Sequence, residues 1–111
     1  MPRTAEQGPL SPEEATARIR EIAASDLDFY LTTHAKGRML ERGAFTPDIL
    51  HVLRFGTVSR DGEVSSRPGV FKYRIESKTP NSEGRILAAI VIPDDGRLIK
   101  IVTVLWANEV D

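Results

Sequence analysis

The hydrophobic pattern of this chain changes period at Gly56. Before it, apolar residues recur at helical spacing behind three helix-start signals. After it, apolar and polar residues alternate, or apolar residues run together, as they do in strands. Helices first and strands afterwards predicts an α+β fold, with N-terminal helices packed on a twisted antiparallel sheet of about four strands.

The local signals are explicit. Ser11-Pro12-Glu13-Glu14 combines a capping serine, a proline at the first helical position and the glutamate of a capping box. The helix behind it runs to about Ala24, with Ala15, Ile19 and Ile22 as its apolar stripe and Arg18, Arg20 and Glu21 turned away. Ser25-Asp26 ends it, and residues 29–32 form a short strand. Thr33 caps a second helix that stops at Gly43. Thr46-Pro47-Asp48 repeats the cap-then-proline pattern and opens a third helix. Its broad face is Ile49, Leu50, Val52 and Leu53, with His51 and Arg54 opposite.

From Thr57 the reading is β. Residues 57–60 make a strand, followed by turns at Asp61-Gly62 and Arg67-Pro68-Gly69. Residues 70–77 alternate, Phe71, Tyr73 and Ile75 against Lys72, Arg74 and Glu76, as a half-buried antiparallel strand does. Residues 85–92 are almost continuously apolar and read as a central strand. A tight turn at residues 93–96 leads to the last strand, residues 98–106, interrupted by Lys100 and Thr103.

The 111 residues suit one domain, expected over residues 11–111 behind a flexible arm of residues 1–10. No apolar run is long enough to span a membrane, and the N-terminus has no signal-peptide core. There is no cysteine, hence no disulfide framework and no thiolate chemistry. These features predict a cytoplasmic protein. The net charge of −1 conceals an asymmetry. Residues 33–78 carry nine Lys and Arg against five Asp and Glu, whereas residues 1–32 carry three against six and residues 79–111 three against five. A basic middle between acidic ends suits a surface for an anion.

The candidate chemistry lies in residues 33–43, Thr-His-Ala-Lys-Gly-Arg-Met-Leu-Glu-Arg-Gly. His34, Arg38 and Arg42 are four apart and share one helix face, which Glu41 joins. Ala35 and Met39 form a separate apolar stripe. An imidazole beside two guanidiniums can hold a phosphate and move a proton. Lys72 and Arg74, two apart on a strand, project from one side and form a second basic group. They join the first only if the His34 helix packs nearby. The plain alternatives are a solvated cationic helix face, a structural histidine, a surface Arg38–Glu41 ion pair and a solvated sheet face. Tyr73 falls on the core side of its strand and Trp106 reads as packing. His34 and His51 match no common metal-site spacing, so neither metal nor cofactor is expected. No glycine-rich phosphate loop, H-E-x-x-H or G-x-S-x-G occurs.

The run from His34 to Gly43 (H-A-x-x-R-M-x-E-R-G) is followed by a Thr-Pro-capped helix, a basic alternating strand and a closing I-V-T-V-L-W strand. This succession resembles a family of small prokaryotic proteins, a domain of unknown function whose hallmark is a His…Arg…Glu-Arg-Gly helix. The resemblance covers about residues 29–106. That family looks like a distant neighbour of the RelE/ParE/BrnT toxins. The likeness implies a RelE-like fold and metal-independent RNA cleavage, often on the ribosome, silenced by an antitoxin-like partner protein. It carries roles onto His34, Arg38, Glu41 and Arg42, and by residue type onto Lys72, Arg74 and Tyr73. Two departures, the absence of a strong overall positive charge and the acidic N-terminal helix, disfavour tight RNA binding.

The leading expectation is therefore a toxin-like endoribonuclease or a descendant of one. Such chemistry needs a base for the 2′-OH, an acid for the leaving oxygen and cations for the phosphorane. His34 can serve as either base or acid, Arg38 and Arg42 as the phosphate clamp, and Glu41 is the group at hand for the second proton transfer. The alternative is a non-catalytic RNA- or protein-binding module using the same basic face. A third possibility is an interaction protein that pairs an exposed sheet edge, residues 57–64 or 98–106, with another chain.

Overall fold

A computed structural model describes residues 8–24, 28–93 and 98–109. The order of elements is α1 (Pro12–Ala24), β1 (Asp28–Leu31), α2 (Thr33–Arg42), α3 (Thr46–Phe55), β2 (Thr57–Val58), β3 (Glu63–Val64), β4 (Phe71–Lys78), β5 (Ile86–Pro93) and β6 (Leu98–Trp106). The Ser25-Asp26 stop, the residue 94–96 part of the last turn and residues 1–7 of the expected arm lie outside the described residues. No helix among the described residues is long and apolar enough to cross a membrane.

The helix starts follow the sequence signals, with two shifts of one residue. At α1 the capping box closes as expected: Glu14 N donates to Ser11 Oγ at 3.2 Å and Ser11 N to Glu14 Oε1 at 3.0 Å. The cap of α2 is Thr32, not Thr33. β1 ends at Leu31, so Thr32 keeps an extended backbone, and its hydroxyl accepts from Ala35 N at 3.0 Å. Gly43 ends α2 in the left-handed conformation, φ 66°. At α3 the capping position is Phe45 rather than Thr46. Phe45 has no side-chain acceptor, so only the reciprocal half of a capping box forms: the Asp48 carboxylate reaches back to accept Phe45 N–H at 3.0 Å and also accepts the Thr79 hydroxyl at 3.1 Å.

The sheet is mixed and has six strands, not about four antiparallel ones. Its order is β1-β6-β5-β4-β2, with β3 also on β4. All pairs are antiparallel except β1 and β6, which run parallel. Phe29 and Leu31 of β1 align with Ile99 and Ile101 of β6 and pack on the same core. β1 thus occupies the outer side of β6 along residues 98–101, so that part of the 98–106 strand is not the exposed edge expected from the sequence. β2 and β3, two residues each, are too short to show an alternation.

One face of the sheet is dry. Tyr73, Ile75, Leu87, Ala89, Val91, Ile99, Ile101 and Val104 form one cluster with Ala15, Ile19 and Ile22 of α1 and Ile49, Val52 and Leu53 of α3. Each fully buried large aliphatic side chain contributes about 1.5–3 kcal/mol by leaving water. The two helices also close each other's ends. Arg20 of α1, expected to face solvent, donates to the Gly56 carbonyl at 2.8 Å and the Phe55 carbonyl at 3.1 Å. Arg54 of α3 donates to the Ala23 carbonyl at 3.2 Å. Leu10 docks on the core as well, its N–H donating to Tyr73 Oη at 2.8 Å.

Two irregularities shape the other face. Between Ile90 and Val91 the β5–β6 register shifts, pairing Ile90 with Thr103 but Val91 with Ile101, which leaves Val102 as a bulge. On the far edge, β2 pairs Val58 with Ile75 while β3 pairs Glu63 with Lys72. The register moves by two residues between them, so residues 59–62 loop out of the edge.

Candidate functional site

The sheet face away from α1 and α3 carries Lys72, Arg74 and Glu76 on β4, Ala88 and Ile90 on β5, and Thr103 and Leu105 on β6. Ala88 and Leu105 are buried although they stand outside the helix-side cluster. A cleft of about 600 Å³ opens here. Ile90, Val102, Thr103 and Leu105 contribute its apolar part. Lys72 and Arg74 line it from β4, His34 from α2, and Arg60, Asp61 and Glu63 from the looped edge; Ala107, Asn108 and Glu109 complete it.

The His34 position follows from the bulge. Thr32, the cap of α2, donates its hydroxyl to the Val102 carbonyl at 2.9 Å, which fixes the helix start over the bulged residue. Ala35 is buried and Met39 packs against the core, so α2 is seated on its apolar stripe. His34, one residue before Ala35, is left exposed at the cleft.

The cationic stripe expected on α2 divides. Arg42 turns to the end of β6. Its Nε donates to Glu109 Oε1 at 3.0 Å and its Nη2 lies 3.0 Å from Oε2. Glu109 Oε1 also accepts Trp106 N–H at 2.9 Å. Glu41 binds Arg38 at 2.7 Å and Arg42 at 3.2 Å. Arg38, Glu41 and Arg42 thus form one ion-pair network, and none of the three is among the cleft-lining residues. The Arg38 hydrogen bond and charge, with a smaller contribution from Arg42, hold the Glu41 carboxyl below the usual glutamate range. The Glu109 carboxyl is lowered chiefly by Trp106 N–H, then by the Arg42 hydrogen bond and charge and by the charge of Arg85.

The β4 pair behaves unequally. Arg74 lies across the sheet, donating to Glu76 Oε2 at 3.1 Å and to the Ala107 carbonyl at 2.9 Å, and so braces the segment after β6. Lys72, opposite Glu63 in the β3 register, is partly exposed at the cleft. Tyr73 is buried with its hydroxyl taken by Leu10. Gly62 lies against its ring, where a Cβ would stand 2.5 Å from Cε1. The core assignment of Tyr73 stands.

His34, Lys72 and Arg74, separated by about forty residues, therefore share one cleft. Arg60, Asp61, Glu63, Thr103 and Asn108 join them without having been singled out from the sequence. For Thr103 a signal existed. Polar residues at 100 and 103 are three apart, an odd spacing that puts both on one strand face only if a bulge intervenes. Among the described residues, no group of three or more His, Cys, Asp or Glu side chains is arranged to hold a metal ion.

The sequence model of a family described as a domain of unknown function, DUF4258, matches residues 31–106. The chain belongs to the DUF4258 family. No curated protein matches the chain, and no solved structure does. The DUF4258 match runs from the end of β1 through β6, so it takes in every cleft-lining residue except the last three. It does not extend to α1, whose Ala15, Ile19 and Ile22 belong to the helix-side core.

Proposed function

We propose that this cleft binds the backbone of RNA and cleaves it without a metal ion, as a toxin-like endoribonuclease or a descendant of one. The observation that carries the reading is the meeting of His34 with Lys72 and Arg74 at a single cleft. In the reaction the ribose 2′-OH attacks phosphorus, the P–O5′ bond breaks, and the products are a 2′,3′-cyclic phosphate and a 5′-OH. His34 transfers one of the two protons. Asp61 and Glu63 bring carboxylates to the opposite rim and are the groups placed for the other. Lys72 and Arg60 face the phosphate, and Arg74 holds the segment of residues 107–109 in place. Arg38, Glu41 and Arg42, to which the family resemblance assigned roles, act on this reading by seating α2 and hence His34. The RelE-like kinship and the antitoxin-like partner belong to the same proposal.

A second reading is favoured by the charge of the lining. Arg60, Lys72 and Arg74 are offset by Asp61, Glu63 and Glu109, which weakens the hold on a polyanion. That balance suits a non-catalytic module for RNA or a partner protein. The two are separated by incubating labelled RNA in EDTA, naked and on translating ribosomes, with the wild type and with His34→Ala. The ribonuclease reading expects cyclic-phosphate ends with the wild type and none with a variant of unchanged Tm. Folded protein that binds RNA but cleaves neither substrate refutes it in favour of the module.

A further inference from the structure

A smaller hollow of about 270 Å³ adjoins the cleft. It is lined by Gly84, Arg85, Ile86, Ala107 and Asn108, and Ala107 and Asn108 line the cleft as well. The ridge between the two is braced from both sides. The Ala107 carbonyl accepts from Arg74 Nη2 at 2.9 Å, and Ala107 N donates to the carbonyl of Ile86 at 2.8 Å. Glu109 N closes the turn onto the Trp106 carbonyl at 2.9 Å, so the exposed Asn108 stands on a fixed support. The cation of the hollow is placed too. Arg85 N donates to the Ser82 carbonyl at 2.9 Å, at the end of a loop that Thr79 and Ser82 pin through buried hydrogen bonds. The Arg85 guanidinium carbon lies 4.0 Å from the centroid of the Trp106 ring, yet the residue is exposed. Held on the ring, the guanidinium loses less freedom on meeting an anion than a freely moving side chain would. Among the described residues Arg85 is the one charged side chain lining the hollow, whereas the cations of the cleft are offset by acids. Small-molecule pockets run to about 300–1,000 Å³. The hollow falls below that range, which suits one part of a ligand already held in the cleft.

We propose that the hollow is a second RNA subsite, which the strand enters from the cleft over the Ala107–Asn108 ridge. A phosphate next to the nucleotide in the cleft meets Arg85, its ribose lies on Ile86, and the Asn108 amide makes a hydrogen bond to the strand where it crosses. Every group used is open to solvent: Arg85 and Asn108 are exposed, and Ile86 is 40% exposed. This inference rests on the reading of the cleft as the RNA site and extends that site to a further phosphate.

The test is fluorescence anisotropy of the full chain with a 2′-O-methyl RNA hexanucleotide, whose blocked 2′-oxygen cannot attack phosphorus. Wild type, Arg85→Gln, Arg85→Lys and Asn108→Asp are titrated across a salt series, and the Tm of each free protein is measured. Arg85→Gln weakens binding about tenfold and flattens the salt dependence by about 0.7, the share of one phosphate on a single strand. Arg85→Lys keeps the wild-type slope because it keeps the charge. Asn108→Asp weakens binding at an unchanged Tm, since aspartate suits the same turn but repels the strand. A role of Arg85 confined to packing on Trp106 would lower the Tm of Arg85→Gln and leave its salt slope as in the wild type, and that result overturns the subsite. So does a wild type that binds no hexanucleotide at millimolar concentration. Binding that depends on Arg85 in a protein that cleaves no unmodified RNA sinks the ribonuclease reading and leaves the subsite standing. Cleavage together with binding indifferent to Arg85 does the reverse.

Discussion

Replacing Arg42 with alanine removes a bidentate contact to Glu109, with Nε to Oε1 and Nη2 to Oε2 each at 3.0 Å. The magnitude lies between two limits. An exposed ion pair contributes about 0.2–1 kcal/mol, and hydrogen bonds to charged groups contribute about 1.5–3 kcal/mol. The Arg42 side chain is 11% exposed and that of Glu109 32%. Solvent screening at Glu109 therefore places the pair in the middle, with a coupling of about 1–2 kcal/mol. Glu109→Ala costs more than Arg42→Ala, because it also strips Trp106 N–H of its acceptor. The assay is a double-mutant cycle of Arg42→Ala and Glu109→Ala by urea unfolding. The salt dependence of RNA binding is measured beside it. If Arg42 bound a phosphate of the RNA, its removal would flatten that dependence by about one unit, whereas a seating role leaves the slope alone. A coupling below about 0.3 kcal/mol, within the error of additivity, would refute the reasoning.

Two further outcomes follow from the same region. Thr32→Ala removes both the cap of α2 and its bond to the Val102 carbonyl, and should cost about 1–2 kcal/mol in urea unfolding, with Thr32→Ser restoring most of it. Glu41 and Glu109 have folded-state carboxyls lowered below the ordinary value, so they bind protons less readily in the folded than in the unfolded chain. Their contribution is present above the unfolded glutamate range and fades as pH falls through the lowered values. Urea midpoints should therefore drop on acidification below about pH 4.5, and less steeply in Arg42→Ala. An acid arm unchanged in that variant would contradict the assignment.

The helices and the inward faces were legible because their signals are local. Ser11 and Glu14 cap α1 as read, and Ile19, Ile49, Tyr73 and Ile75 are buried where periodicity put them. Caps shifted where a tertiary partner took part. Thr32 outcompetes Thr33 because β6 offers it the Val102 carbonyl, and Asp48 of α3, also bound to Thr79, reaches back to Phe45 N–H. The parallel β1 was missed as part of the main sheet, since four residues carry no hint of partner or direction. At the site, His34, Arg38 and Arg42 do share a helix, but the sequence could not show Glu109 arriving from the segment after β6 to engage Arg42. Thr103 and the residue 59–62 loop depend on register shifts, which belong to strand pairs rather than to single strands.

The most direct measurement is an amide NMR titration of the full chain with a short single-stranded RNA. Binding in the cleft predicts shifts centred on His34, Lys72, Thr103 and Asn108, which come from three separate parts of the chain and meet at this site. Shifts centred instead on the outer surfaces of α1 and α3, or none at saturating RNA, would contradict it.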